Sequence, residues 1–282
     1  MAYEKIENKV KNTIKKYKLF SKKDNVLVAC SGGKDSTTLA YILKKLGYNI
    51  KAITINPSIK ERESSSKNLE NLRKFCRENE IMLYEYSFKE EFGRTLLEIR
   101  KNINSKGIEM PYCTICGILK RYLLNKKAKE LKADKIATGH VLDDEAESVF
   151  MNLLRGNVEL LSRLGPISGV KKSKKFVPRV KPLYFCKEEE IIIYSKKKKF
   201  PVAYERCPYA KSSYREIVRN ELISFEKKNK NTKENIIKWF LGILPDIKKE
   251  FEKQGEISYC EICGEPSKNK ICNACSIITK IR

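Results

Sequence analysis

The chain has 282 residues, with 59 Lys or Arg against 35 Asp or Glu and a formal net charge of +24. A hydrophobic share of 41% can bury a core at this length, which excludes wholesale disorder. The basic excess points to a polyanionic partner, nucleic acid before membrane, because no long basic amphipathic helix with a bulky apolar face appears. A basic helix is predicted through about Lys18, its charge unlike a signal peptide. Then come a strand at 25–30 (NVLVAC), a helix over Thr37–Leu46 closed by Gly47, a strand over Ile50–Asn56 and a helix over Leu69–Asn79. A strand over Ile81–Tyr86, a helix over Leu119–Leu131, a strand over Lys135–Thr138 and a helix over Asp143–Leu154 follow.

This alternation predicts an α/β fold, a Rossmann-like parallel sheet with helices on both faces, whose ligands sit beyond the carboxyl ends of the strands. Residues 171–199 read as basic and irregular, with lysine runs at Lys171–Lys175 and Lys196–Lys199. Helices over Tyr214–Lys227 and Asn235–Lys253 come next. The longest apolar run, Ile236–Leu244, is broken by Lys238, so no membrane span is expected and a cytoplasmic location is. The expected division is an N-terminal helix (1–21), the α/β domain (22–220), a helical connector (221–254) and a small C-terminal module (255–282).

Directly after the first strand stands Ser31-Gly32-Gly33-Lys34-Asp35-Ser36, opening a helix. Glycines let the backbone approach phosphate, free amides at a helix N-terminus cradle it, and Lys34 adds a point charge. The spacing is not that of a Walker A loop, and Asp follows the lysine. Six of the ten cysteines form three C-x-x-C pairs. Cys260, Cys263, Cys272 and Cys275 make two pairs separated by eight residues, the spacing of a closed structural Zn²⁺ site. Lys268 and Lys270 between them are candidates for RNA contact. Cys113 and Cys116 make an incomplete set, able to share a metal centre or to act as a redox pair. Cys30, Cys76 and Cys186 read as buried small hydrophobes. The acidic stretch in Gly139-His140-Val141-Leu142-Asp143-Asp144-Glu145 opens a helix, where the dipole alone would favour it.

SGGKDS resembles the PP-loop of the ATP pyrophosphatases, which split ATP into AMP and pyrophosphate while adenylating a substrate oxygen. With PYCTICGxxKRYLLN from Pro111, GHVLDDEAE from Gly139 and the LLRG that follows it, the chain resembles tRNA 2-thiolation enzymes of the TtuA-like and cytosolic thiouridylase branch, with TtcA as a cousin. The resemblance covers about Asn25–Arg219 plus the C-terminal cysteines. Residues 1–21 hold no cysteine, a departure from the N-terminal zinc module usual in that branch.

The resemblance implies ATP on Ser31, Gly32, Gly33, Lys34, Asp35 and Ser36, with Ala29, Ile55 and Gly139 around the nucleotide. It gives Lys120 and Asp144 roles in activity, and Cys113, Cys116 and Cys207 a [4Fe-4S] cluster with one iron open to sulfide. The implied reaction is adenylation of a pyrimidine 2-carbonyl in tRNA, with Mg²⁺ and Lys34 stabilising the departing pyrophosphate, followed by sulfur transfer to give a 2-thiopyrimidine, 2-thiouridine first. Implied partners are tRNA, a sulfur donor (a thiocarboxylated ubiquitin-like carrier or inorganic sulfide) and a second copy of the chain. The rivals are another PP-loop ligase, such as a lysidine synthetase, which has no need for the three cysteines together, and a noncatalytic RNA-binding protein, against which the intact loop argues.

Overall fold

Three strands of largely buried residues pair side by side because none has a polar face to turn to solvent. The computed structural model describes residues 2–59, 63–171, 173, 175–205, 207, 209, 213–253 and 257–281. At its centre is β1 (Val26–Ala29), flanked in parallel by β2 (Ile50–Asn56) and β4 (Lys135–Thr138), in register Val26↔Ile50 and Val26↔Lys135. The edges are β3 (Leu83–Ser87) and β5 (Arg179–Val180), so the order is β3-β2-β1-β4-β5 and every pairing is parallel. A parallel sheet is covered on both faces, and β1 divides its side chains accordingly: Val26 and Val28 enter one apolar cluster, Leu27 another.

On the first face lie α1 (Ala2–Tyr17), α2 (Lys34–Lys45), α3 (Glu63–Glu78) and α9 (Glu188–Lys197), sharing a core with Leu39, Leu72, Phe75 and Ile191. Polar contacts fasten α1 here: Lys9 to Glu190 and Tyr194 to Glu7, both at 2.7 Å. The other face carries α6 (Tyr112–Glu130), whose Ala128 packs on Leu27 and Ile136. Short helices α4 (Phe88–Phe92), α5 (Leu96–Asn104) and α8 (Val158–Ser162) fill connections. A separate cluster joins α7 (Leu142–Leu154) to α10 (Tyr214–Lys228) and α11 (Thr232–Lys253) around Leu222, Phe240 and Leu244.

Three features depart from the sequence reading. The stretch 171–199 is not irregular: it supplies β5 and α9, and Lys196 and Lys197 form the helix's last turn, where cations suit the dipole. Helix α6 begins at Tyr112, behind Pro111 in extended conformation as its N-cap, so the first C-x-x-C lies inside its opening turns. The C-terminal cysteines lead into α12 (Asn273–Ile281), whose Ala274, Ile277 and Ile281 share a core with Ile99, Ile115, Leu119 and Leu123. The tail therefore packs into the body of the protein, and residues 254–256, where its boundary was expected, lie outside the described residues. Among the described residues no helix is long and apolar enough to cross a membrane.

Candidate active site

The loop after β1 is shaped by its own hydroxyls. Ser31 N–H donates to Ser36 Oγ at 3.1 Å, Ser36 Oγ meets Gly33 O at 3.3 Å, and Thr37 N–H donates to Gly33 O at 3.1 Å, starting α2. Gly32 takes φ +76°, and a Cβ there would stand 2.7 Å from Asn68 O. Gly139, at the end of β4, comes so close that a Cβ would lie 2.8 Å from Ser36 N. The two strand ends thus form one cradle that a side chain would fill.

Lys34 is held by Asp35 at 3.0 Å and Glu188 at 2.9 Å. Arg219 grips the other oxygen of Glu188 and lies 3.3 Å from Glu147, which Arg215 approaches at 3.6 Å. Burial, with Asp144 and Glu188 adding repulsion, raises Asp35 to about 6 against the pull of Lys34. Its Oδ1 is buried with no partner. Burial likewise raises Glu147 to about 7, with Arg219 and Arg215 opposing and Asp144 and Glu188 assisting. Asp144 accepts from Val141 N–H at 3.2 Å, capping its own helix beside these groups. Asp143 is engaged elsewhere, accepting from Glu188 N–H at 2.7 Å and from Lys233 at 2.6 Å.

Two cavities open over this end of the sheet. One, about 180 Å³, is bordered by Ser31, Gly33, Ile55, Asn56, Lys120 and Glu205. The other, about 410 Å³, has Ala29, Ile53, Ile55 and Leu124 as its apolar part and Lys120, His140 and several arginines as its polar part. Ser31, Ile55 and Lys120 belong to both. His140 shares a hydrogen bond between Nδ1 and Thr138 Oγ1 at 2.9 Å. Its crowded surroundings, then the Lys181 ammonium, hold its imidazole below the usual range.

The segment carrying Cys207 is pinned at both ends. Ala203 forms a parallel bridge with Gly33, and beyond the cysteine Tyr209 O accepts from Cys113 Sγ at 3.4 Å while its ring meets Tyr112 at 4.4 Å. Cys113, Cys116 and Cys207 are consequently neighbours. Desolvation, then the Cys207 and Cys116 thiols, raise Cys113; burial and Cys207 raise Cys116, with Lys120 pulling the other way. Cys113 is exposed and Cys116 and Cys207 are half-buried. Arg206 and Pro208 of the same motif lie outside the described residues.

The tail thiols differ. Among the described residues only Cys260, Cys263, Cys272 and Cys275 bring their ligand atoms within 4.8 Å of one another. A turn with Gly264 N–H donating to Cys260 O at 2.8 Å, Cys272 N–H to Cys260 Sγ at 3.2 Å and Cys275 N–H to Cys272 Sγ at 3.4 Å builds the paired-knuckle pattern. Of the tail lysines, Lys268 pairs with Glu159 at 2.8 Å and Lys270 is exposed. Cys30, Cys76 and Cys186 are buried, and burial raises Cys76 to about 11 and Cys186 to about 12, so these are inert thiols.

Every residue singled out around SGGKDS, Lys120, Gly139 and the three cysteines falls at this one end of the sheet. Glu147, Glu188, Arg215 and Arg219 were not foreseen. Each is an ordinary charged residue on a helix, and only the packing of α7, α9 and α10 makes them one network.

A five-stranded parallel sheet that delivers SGGKDS from its central strand to an open cradle defines an adenine-nucleotide-binding α/β protein. Residues 2–226 match the PP-loop domain, and the chain belongs to that family. Within it, the chain is 39% identical to a tRNA-5-methyluridine(54) 2-sulfurtransferase of Pyrococcus horikoshii, covering 96% of this chain and 84% of that one. It is 33% identical to the cytoplasmic tRNA 2-thiolation protein 1 of Caenorhabditis elegans, over 96% of this chain and 72% of that one. Among solved structures it resembles the U34-tRNA thiolase NcsA from Methanococcus maripaludis with its [4Fe-4S] cluster, at 30% identity and a TM-score of 0.80, covering 98% of this chain and 87% of that one.

Proposed function

We propose that the protein is an ATP-dependent tRNA 2-sulfurtransferase. The observation that carries this reading is the meeting of two chemistries on one wall: Ser31 of the PP-loop and Lys120 of α6 border both cavities, and Lys120 stands one turn from Cys116 on the same helix. A loop that binds ATP and thiols that handle sulfur would have no reason to converge in a ligase that joins an amine.

The 2-carbonyl oxygen of a pyrimidine attacks the α-phosphorus of ATP and pyrophosphate leaves; a sulfur nucleophile then attacks C2 and AMP leaves with the original oxygen. Oxide is a poor leaving group and AMP a good one, which is why ATP is spent. The loop amides and Lys34 stabilise charge on pyrophosphate, for which Lys34 exchanges Glu188 for phosphate oxygens. Backbone at Ala29, Ile55 and Gly139 borders the nucleoside. Lys120 neutralises charge where both cavities meet. Asp35, with an unpartnered buried oxygen, and Asp144 beside it fit Mg²⁺.

Cys113, Cys116 and Cys207 fit a [4Fe-4S] cluster, because they stand near one another yet further apart than a single ion requires. Bound there, the cluster supplies an iron without a protein ligand, a place for the incoming sulfur. The four tail thiols fit Zn²⁺ in a closed, structural site. The target is uridine first, the donor is a thiocarboxylated carrier or inorganic sulfide, the working form is a homodimer, and the protein acts in the cytoplasm.

The test is anaerobic incubation with ATP, Mg²⁺, sulfide and unmodified bulk tRNA, followed by mass spectrometry of the nucleosides. Formation of 2-thiouridine with stoichiometric AMP is expected. ATP turnover without any thionucleoside would return the chain to the ligases.

A further inference from the structure

The larger cavity holds more positive charge than its own carboxylates balance. Lys120, Arg121, Arg163, Arg179, Lys181 and Arg215 line it, against Glu145 alone. Three of the six are committed. Lys181 lies 2.7 Å from Glu145, Arg163 lies 2.7 Å from Glu159, and Arg215 donates to Ser148 Oγ at 2.9 Å. Arg121 and Arg179 have no carboxylate or hydrogen-bond partner among the described residues, and Arg179 Nε is buried with no acceptor. A guanidinium keeps its charge under such conditions, so the buried Nε of Arg179, whose guanidinium lies 5.6 Å from the Phe176 ring, is costly without an anion, and Arg121 adds a second charge beside it.

The two come from distant parts of the chain and meet at one spot. Burial, and then the charge of Arg121, lower Arg179 to about 10. Arg121 gets there because Gly117 has no side chain: a Cβ at 117 would stand 2.9 Å from Arg121 Nη1. The guanidinium folds back along α6 toward the turn that bears Cys116. Arg179 is on β5, which pairs with β4 and not with β1. Two strand spacings, about 10 Å, therefore separate it from the strand that carries the PP-loop. The phosphates of ATP already have the loop amides and Lys34. The anion at this pair is a different one, within the larger cavity.

We infer that Arg121 and Arg179 form a clamp for a phosphodiester of the RNA backbone, next to the nucleotide that enters the site. This rests on the tRNA reading above. A base whose 2-carbonyl is to be attacked must leave its stack, and the backbone that carries it must then be held from the side. The planar arginine fork matches two phosphate oxygens, and two forks at one point fix the register of the strand.

The test is equilibrium binding of bulk tRNA across a salt series by Arg121→Gln, Arg179→Gln and Arg121→Lys, with ATP and AMP binding measured alongside and thermal melting to confirm the fold. Arg121 is exposed on its helix, so R121Q keeps the protein folded even where R179Q does not. Each Gln variant is expected to lose roughly tenfold or more in tRNA affinity. Each should also lower the log–log salt slope by about 0.7 to 0.9, and R121K should restore the slope with only part of the affinity. Affinity for ATP and AMP stays unchanged. Unaltered tRNA affinity and slope in R121Q, with wild type binding normally, would overturn the clamp. So would loss of AMP or ATP binding with tRNA binding intact, which would assign the pair to the nucleotide. A wild-type protein that neither binds nor thiolates bulk tRNA would instead bring down the tRNA reading, and the clamp with it.

Discussion

The two cysteine clusters of this chain are built on opposite plans. The tail gathers four thiols into one closed sphere, gives two of their sulfurs backbone N–H donors and backs them with an apolar helix. The group on α6 has three, one of them exposed, and takes its third from a segment tied to the PP-loop. A closed set with satisfied neighbours holds structure together; an incomplete set beside unpaired charge leaves a position for chemistry. The same contrast extends outward. Around the tail, Glu265 is bound by Asn125 and Lys129, whereas around the loop Asp35 Oδ1 and both oxygens of Glu147, and in the larger cavity Arg179 Nε, are buried without hydrogen bonds.

If the contrast is right, damage to the two clusters must read out differently. Cys113→Ser and Cys207→Ser are expected to abolish thiolation while shifting stability by less than about 0.5 kcal/mol, since neither side chain is core. Assays of 2-thiouridine formation beside thermal melting check this, and a large loss of stability would erase the distinction. Cys260→Ser or Cys272→Ser should release Zn²⁺ and cost several kcal/mol, because a metal knuckle folds with its ion. The two clusters are also mechanically joined. Helix α12 packs on Leu119 and Leu123 of the helix that bears Cys113 and Cys116. Zinc loss should therefore lower iron content as well, measurable by metal analysis of the same preparations; full iron occupancy in a zinc-free tail would show that the docking of α12 is incidental.

How far this could be read beforehand depends on how local each signal is. SGGKDS is legible because strand, glycines and helix start within a dozen residues, and the tail because four cysteines carry their own spacing. Strands β1, β2, β3 and β4 were each legible as short runs between helices, whereas their order in the sheet was not. By contrast β5 is two residues long and rests on pairing with Ile136 and Ala137, which no window of sequence contains. Helix α9 was hidden by the lysine runs on either side and by three consecutive isoleucines, which favour strands locally. The meeting of Arg121 with Arg179, and of Glu147 with Glu188 and Arg219, exists only after the chain has folded.

The unsatisfied region should also show itself through pH. Neutral Glu147 is favoured in the folded state, so the stability it confers is complete below its ordinary value of 4.5 and is lost as pH rises through about 7. From this group alone the loss is about 3 kcal/mol. Glu147→Gln should flatten the decline of melting temperature between those limits and stabilise the protein above pH 7. An unchanged profile would mean that Arg219 and Arg215 compensate the buried charge fully. A smaller effect is expected at the cradle. Gly139→Ala forces a methyl against Ser36 N, and overpacking of about 1 to 3 kcal/mol should appear as a lowered melting temperature together with roughly tenfold or greater weakening of ATP, read by calorimetry.

The smallest effect belongs to the lysine run at Lys196–Lys199. By charge alone, four lysines beside an RNA site would steepen the salt dependence of binding by about 0.7 to 0.9 for each phosphate neutralised. The structure gives part of that charge other employment. Lys196 lies over the Tyr204 ring at 5.6 Å and Lys198 over Tyr41 at 5.3 Å, and the run closes α9, where its charge meets the helix dipole. Its lysines also sit on the opposite face of the sheet from α6, with the group that packs on α1 and α2. Changing all four to Ser should therefore lower the salt slope by less than one phosphate's worth and leave tRNA affinity within about threefold of wild type. A drop as large as that expected for Arg121→Gln would place RNA on both faces of the sheet, a contact surface far wider than the cavity mouth.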